Sequence, residues 1–208
     1  MIKHDDFLNF IKSRRSAKRL RLRPIPVEIV EDILAVATSA PSAHNAQPWR
    51  FIVITDQNLK LRLAEAMAQA WQVDLLKDGL SSEEVEKIIN TSIERTMNAS
   101  VLIIVCLTMD DMNKYSDERR KRAEYLMAVQ SVSAAIQNLL LAVHANGLGA
   151  CWRCAPLFCK DCVSKILEVP KNFDPQALIE IGGHTERLKM PTRKPLKDIF
   201  RYNGWGFN

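Results

Sequence analysis

Residues 40–55 read APSAHNAQPWRFIVIT, and the change of character at Trp49 organises the whole chain. The first part holds two prolines, small side chains, His44, and the amides of Asn45 and Gln47. Proline supplies no N–H to a helix and clashes with the preceding turn, so this stretch stops whatever helix enters it. Arg50 to Thr55, RFIVIT, is rich in β-branched and aromatic side chains and is expected to be a strand. Amide side chains both donate and accept, so they suit the edge of a heterocycle, and small residues let backbone approach a flat ring. The same composition also serves as a plain stop loop before a core tryptophan, and chemistry alone leaves both readings open.

Upstream, His4 to Ser13 has helical spacing, with Phe7, Leu8, Phe10 and Ile11 apolar. Pro26 and Val27 open a second helix to about Thr38, with Ile29, Ile33 and Val36 or Ala37 on one face. Downstream, Asn58 to Ala70 is helical in spacing, and Ser82 starts another helix with Glu84 and Glu86 in its first turn. Val101 to Leu107 is a continuous apolar run of the kind that forms a buried central strand. Asp110 to Arg122 is charged and expected to be exposed. Tyr125 to Ala145 reads as a long, nearly all-apolar helix for the core or a subunit interface, capped by Asn146-Gly147. Leu148 to Trp152 and Ala177 to Gly182 read as strands, with a helix over Pro156 to Leu167 between them. The pattern predicts one α+β domain over 1–208, a sheet flanked by helices. Residues 191–208, basic and aromatic, form a C-terminal arm suited to wrapping a partner.

Of 208 residues, 29 are Lys or Arg and 24 Asp or Glu, giving a net charge of +5, which favours anionic partners. Arg14, Arg15, Lys18, Arg19, Arg21 and Arg23 crowd one stretch, and a second cluster runs from Arg187 to Lys197. The N-terminus lacks the apolar core and cleavage site of a signal peptide. No uninterrupted apolar run approaches the roughly 20 residues that span a bilayer, so no membrane partner is expected. An odd number of cysteines without a secretion signal points to reduced thiols in the cytoplasm.

Several motifs could carry chemistry. In SRRSAKR, Ser13 to Arg19, adjacent guanidiniums, a hydroxyl and an ammonium can bind a phosphate. A bare basic run is also a solvated face or a nucleic-acid stripe, here Arg14 to Arg23. It lacks a helix-turn-helix or a pattern of stacking aromatics, which argues against nucleic acid. Asn146-Gly147-Leu148-Gly149-Ala150 permits close backbone approach to a ligand, or simply a cap followed by a strand; it is not GxGxxG. Cys151, Cys154, Cys159 and Cys162 form two CxxC pairs, but only four residues separate them, where zinc knuckles place a longer loop. They are read as structural thiols, with no metal. Thr192-Arg193-Lys194-Pro195-Leu196 offers a late cation.

Together, RRSAKR (Arg14 to Arg19), APSAHNAQPWRF (Ala40 to Phe51), GLGACW (Gly147 to Trp152) and RKPL (Arg193 to Leu196) resemble the nitroreductase family of FMN enzymes. CAPLFC and the RKPL tail are similar to a subgroup related to the flavin domain of coenzyme F420 biosynthesis proteins. The resemblance implies a central mixed or antiparallel sheet flanked by helices, in an intertwined homodimer with FMN at its interface. It implies that Arg14, Ser16 and Lys18 hold the phosphate, ribityl chain and ring edge, with Arg15 lining the site. Pro41, Ser42, Ala43 and Asn45, with Gln47 nearby, would come from the other subunit. Leu148, Gly149 and Ala150 would present backbone to the ring, including an N–H at N5, and Arg193 would close on the phosphate. The flavin would take hydride from NADH or NADPH and reduce a small electron-poor acceptor, with no catalytic protein nucleophile and Lys18 as electrostatic support. Two other readings stay open: an F420-related flavin reductase or biosynthetic component, and a nucleic-acid binder.

Overall fold

The computed structural model describes residues 3–184 and 190–206. Its elements are α1 (His4–Ser13), α2 (Val27–Thr38), β1 (Trp49–Ile54), α3 (Gln57–Lys77), α4 (Ser82–Met97), β2 (Val101–Thr108), α5 (Glu118–Ala145), β3 (Gly149–Arg153), α6 (Lys160–Leu167) and β4 (Phe173–Gly182). The strands form one antiparallel sheet in the order β1-β2-β4-β3. This is an α+β architecture, with helices on both faces.

The apolar run of β2 has a physical reason: every residue from Val101 to Thr108 is buried. Side chains alternate across a sheet. Val101, Ile103, Val105 and Leu107 therefore enter a core with α2 and α5, including Ile33, Ile136 and Leu139. Leu102, Ile104 and Cys106 enter a second core with Leu63 and Met67 of α3 and Val163 of α6. Each fully buried aliphatic side chain contributes about 1.5–3 kcal/mol of transfer free energy, so the two-faced strand anchors both layers. Among the described residues, α5 alone is long and apolar enough to cross a membrane by length and composition; half of that stretch is buried inside the fold.

Several boundaries differ from those the sequence predicts. α3 continues past Ala70 to Lys77, because nothing breaks it before Gly79, whose φ is +86°. α5 starts at Glu118 rather than Tyr125, since the Asp117 side chain accepts from the Arg120 N–H at 3.0 Å and caps it. Within the charged stretch before it, Met112 is buried. Residues Ala155–Phe158 form a 3-10 turn, so α6 begins at Lys160. β4 begins at Phe173 and carries a bulge opposite Val105/Cys106 before it reaches Ala177. Of the second basic cluster, Arg187 and Lys189 lie outside the described residues. The arm from Pro191 is exposed.

Candidate functional site

The chain leaves α1 at Ser13 and becomes extended. The Ala17 N–H donates to the Ala150 carbonyl at 2.8 Å, and Ser16 bridges Ala150 in parallel. Arg21 and Gly183 exchange backbone hydrogen bonds of 2.8 and 2.9 Å. Residues 14–21 thus run beside β3, burying Ala17 and Leu20 while Ser16 and Lys18 stay exposed.

At the start of this run the cations gather. Burial, then the like charges of Arg15 and Arg193, pull the Arg14 guanidinium below its ordinary range. Burial, then Arg14, His184 and Arg15, pull His144 down as well. His144 is fixed by Ser13 Oγ, 2.7 Å from its Nε2, and by the Phe10 ring at 5.0 Å. Arg15 Nε and His184 Nδ1 are buried without a hydrogen-bond partner. A group of mutually repelling cations with orphaned nitrogens is the donor set that a phosphate satisfies. Arg14, Arg15 and Arg193, separated by most of the chain, are brought together here as expected.

The Leu148–Ala150 segment also makes contacts within the chain. The Leu148 N–H donates to the Val143 carbonyl at 3.2 Å, closing the α5 C-cap, so the N–H expected at flavin N5 is not that of Leu148. The Ala150 carbonyl is taken by Ala17. A Cβ on Gly149 would stand 2.8 Å from Ala17 Cβ and 2.9 Å from Leu20 Cδ2, so this glycine lets residues 17–20 pack on β3.

Further along β3 lies a cleft that sequence reasoning missed. A cavity of about 390 Å³ is lined by α3 (Met67, Trp71, Asp74), α4 (Ser92, Thr96) and Arg153, Phe158 and Cys159. A second, of about 350 Å³, shares Trp71, Ser92 and Arg153 with it and adds Arg95 and Lys87. The two arginines that line them reach back to the fully buried carboxylate of Glu180, Arg153 at 2.7 Å and Arg95 at 3.1 Å. Arg153 also donates to Ser92 and Thr96, and Arg95 to Cys151 Sγ at 2.8 Å. Two guanidiniums against one carboxylate leave this group one positive charge, while Asp74 and Asp78 also line the 390 Å³ cavity. The available signal was a single charge interrupting each of two apolar strands, Arg153 in GACWR and Glu180 in ALIEIG; Arg95 and Ser92 sit in an unremarkable helix.

The 40–47 loop is built elsewhere. His44, Asn45 and Gln47 have φ of 57°, 53° and 46°. Such left-handed conformations cost non-glycine residues about 1–2 kcal/mol each, least for Asn. They are held by Gln47 N–H donating to Ser42 Oγ, by Ala43 N–H donating to Ser131 Oγ (both 3.1 Å), and by His44 against the buried Glu124 at 3.3 Å. Pro41, Asn45 and Gln47 are exposed, Ser42 and Ala43 partly so. The loop docks on α5 at Ser131 and the cation group on α5 at His144, a rise of roughly 20 Å along the helix. One chain therefore does not bring the two motifs together. Among the described residues, no three His, Cys, Asp or Glu side chains converge as a metal site would require.

Residues 11–183 match the family model for the nitroreductase family, and the chain belongs to that family. It is 26% identical over 192 residues to an iodotyrosine deiodinase of Haliscomenobacter hydrossis, covering 91% of this chain and 84% of that protein. It is 32% identical over 148 residues to a provisionally named NADH dehydrogenase/NAD(P)H nitroreductase of Archaeoglobus fulgidus, covering 71% and 67%. Its fold superposes with a TM-score of 0.72 on a provisionally named nitroreductase from Desulfovibrio desulfuricans in complex with FMN, at 24% identity over 98% of this chain and 99% of that one.

Proposed function

We propose that the chain is an FMN-dependent oxidoreductase, working as a homodimer, that passes hydride from NADH or NADPH to a small electron-poor acceptor such as a nitroaromatic, quinone or enone. The observation that carries this is the cation group at which Arg14, Arg15 and Arg193 meet. A flavin mononucleotide is a phosphate at one end and a flat ring at the other; the cation group suits the phosphate, and the apolar, aromatic-walled cleft that includes Arg153, at the far end of β3, suits a flat ring. Arg14, Arg193 and Arg15 suit the phosphate, and Ser16 and Lys18 the ribityl chain and ring edge. FMN held by these residues would supply the hydride-transfer chemistry between donor and acceptor. Arg95 and Arg153, with only Glu180 between them, hold positive charge where a reduced ring gathers negative charge, a role expected at first of Lys18.

The 20 Å separation on α5 supports a second subunit, whose Pro41, Ser42, Ala43, Asn45 and Gln47 would complete the site. The exposed Leu196, Ile199, Tyr202 and Trp205 of the arm supply apolar area for such an interface. Reductive dehalogenation of a phenol is the second reading, favoured by the likeness to the deiodinase.

The test is the visible spectrum of freshly purified protein, followed by NADH or NADPH without oxygen. A flavin spectrum that bleaches is expected, and the Arg14→Ala/Arg193→Ala double variant should lose FMN while remaining folded. A flavin that neither nucleotide bleaches points to an F420-type donor. Turnover of a halotyrosine but not of a quinone points to dehalogenation. A colourless protein that also refuses added FMN overturns the proposal.

A further inference from the structure

That function uses no cysteine thiol as a reactant, and the thiols are not alike. Cys106 is buried, and burial pushes its thiol up to about 12. Cys151 is buried against Arg95. Cys159 and Cys162 differ from both. Cys159 is the residue from which the eight-residue α6 starts, and Cys162 is the third residue of that helix. Positions three apart lie on one side of a helix, one turn from each other. Both residues are partly exposed. Cys159 also donates to the Ala155 carbonyl at 3.4 Å, and it lines the 390 Å³ cavity with Ala155 and Phe158.

The two sulfurs are not equivalent. Burial, then the neighbouring Cys162, pushes the Cys159 thiol up to about 12, so Cys159 keeps its proton. Cys162, partly exposed at the third position of the helix, is the sulfur left to attack.

We infer that Cys159 and Cys162 are a reversible dithiol site, converted to an intrachain disulfide by low-molecular-weight disulfides of the glutathione type. In the first step the Cys162 thiolate attacks one sulfur of the oxidant, whose S–S bond breaks and releases one thiol. In the second, Cys159 gives its proton to solvent and attacks the Cys162 sulfur of the mixed disulfide, releasing the second thiol. Two protein thiols are oxidised and one small disulfide is reduced to two thiols. Oxidation removes the thiol hydrogen that Cys159 gives to Ala155. The segment it holds carries Ala155 and Phe158, so the redox state of the pair reaches the cavity wall. The dithiol chemistry itself does not depend on what occupies that cavity.

The experiment treats purified protein with oxidised glutathione, alkylates the remaining thiols and maps the peptides by mass. The expected result is a peptide joining Cys159 to Cys162 with two hydrogens lost and no alkyl group, reverted by dithiothreitol. In Cys159→Ser, Cys162 should instead retain glutathione as a stable mixed disulfide. Alkylation of both residues in the treated wild type, at the level of the untreated control, overturns the inference without recourse to any variant. So does a disulfide that joins either residue to Cys154 in preference.

Discussion

At the residue scale, individual side chains were legible where their chemistry is local. A pair of arginines and a late RKPL can meet on a phosphate whatever lies between them, and Arg15 and Arg193 do stand close enough to Arg14 to pull its guanidinium down, after burial. The Arg95–Glu180–Arg153 group was not legible, because its members come from a helix and two strands and form no linear motif. His144 offers the sharpest residue-level prediction. Burial, then Arg14, His184 and Arg15, holds it below the ordinary imidazole value of about 6.5. As pH falls below that value the unfolded chain binds the proton first. This group's contribution to stability is therefore present above the unfolded value and is lost as pH falls through the folded one. An anion at the cation group reverses the electrostatic part of the shift. In an NMR titration, the His144 pKa should rise when FMN or inorganic phosphate is added. An unchanged titration at saturating FMN would place the phosphate elsewhere.

At the scale of elements, strong periodicity located every helix and strand, and the errors sit at their ends. α3 and α5 outran their expected limits because helices extend until a cap or a glycine stops them, and the effective signals were Gly79 and the Asp117 cap. β4 started early because a bulge admits Asp174 and Pro175 to the sheet, which alternation does not announce. The glycine of β3 belongs to this scale too. Gly149 lets the 16–20 segment dock, so Gly149→Ala forces Ala17 and Leu20 aside and should lower stability by about 1–3 kcal/mol, the usual range for overpacking. Urea unfolding measures it. Because that docking positions Ser16 and Lys18, FMN affinity should fall with it. A variant of full stability and affinity would show that the segment does not need the contact.

At the scale of the whole molecule, the unusual feature is apolar surface left uncovered. Leu196, Ile199, Tyr202 and Trp205 of the arm, with Leu126 on α5 and Phe158 beside the cleft, are exposed in one chain. The 40–47 loop bears strained backbone that serves nothing within its own subunit's cation group. Both make sense if two chains share each site. Deleting residues 191–208 should convert a dimer to a monomer in sedimentation velocity and also cost FMN binding. Arg193→Ala alone should weaken FMN without changing the assembly. A truncated chain that still sediments as a dimer would remove the arm from the interface.

By itself, then, the sequence determined what repeats along the chain or sits in one short stretch: a two-faced buried strand, amphipathic helices, a stop loop before β1 and a basic run after α1. Those follow from backbone periodicity and side-chain type, which act over a few residues. Only the tertiary structure decided which groups share one volume: that Gly149 lets Ala17 pack on β3, that Arg95 and Arg153 hold the two oxygens of Glu180, and that Cys159 lines a cavity wall. Those depend on sheet order and helix docking, where residues far apart in sequence are forced together by burial, and no local pattern encodes the meeting.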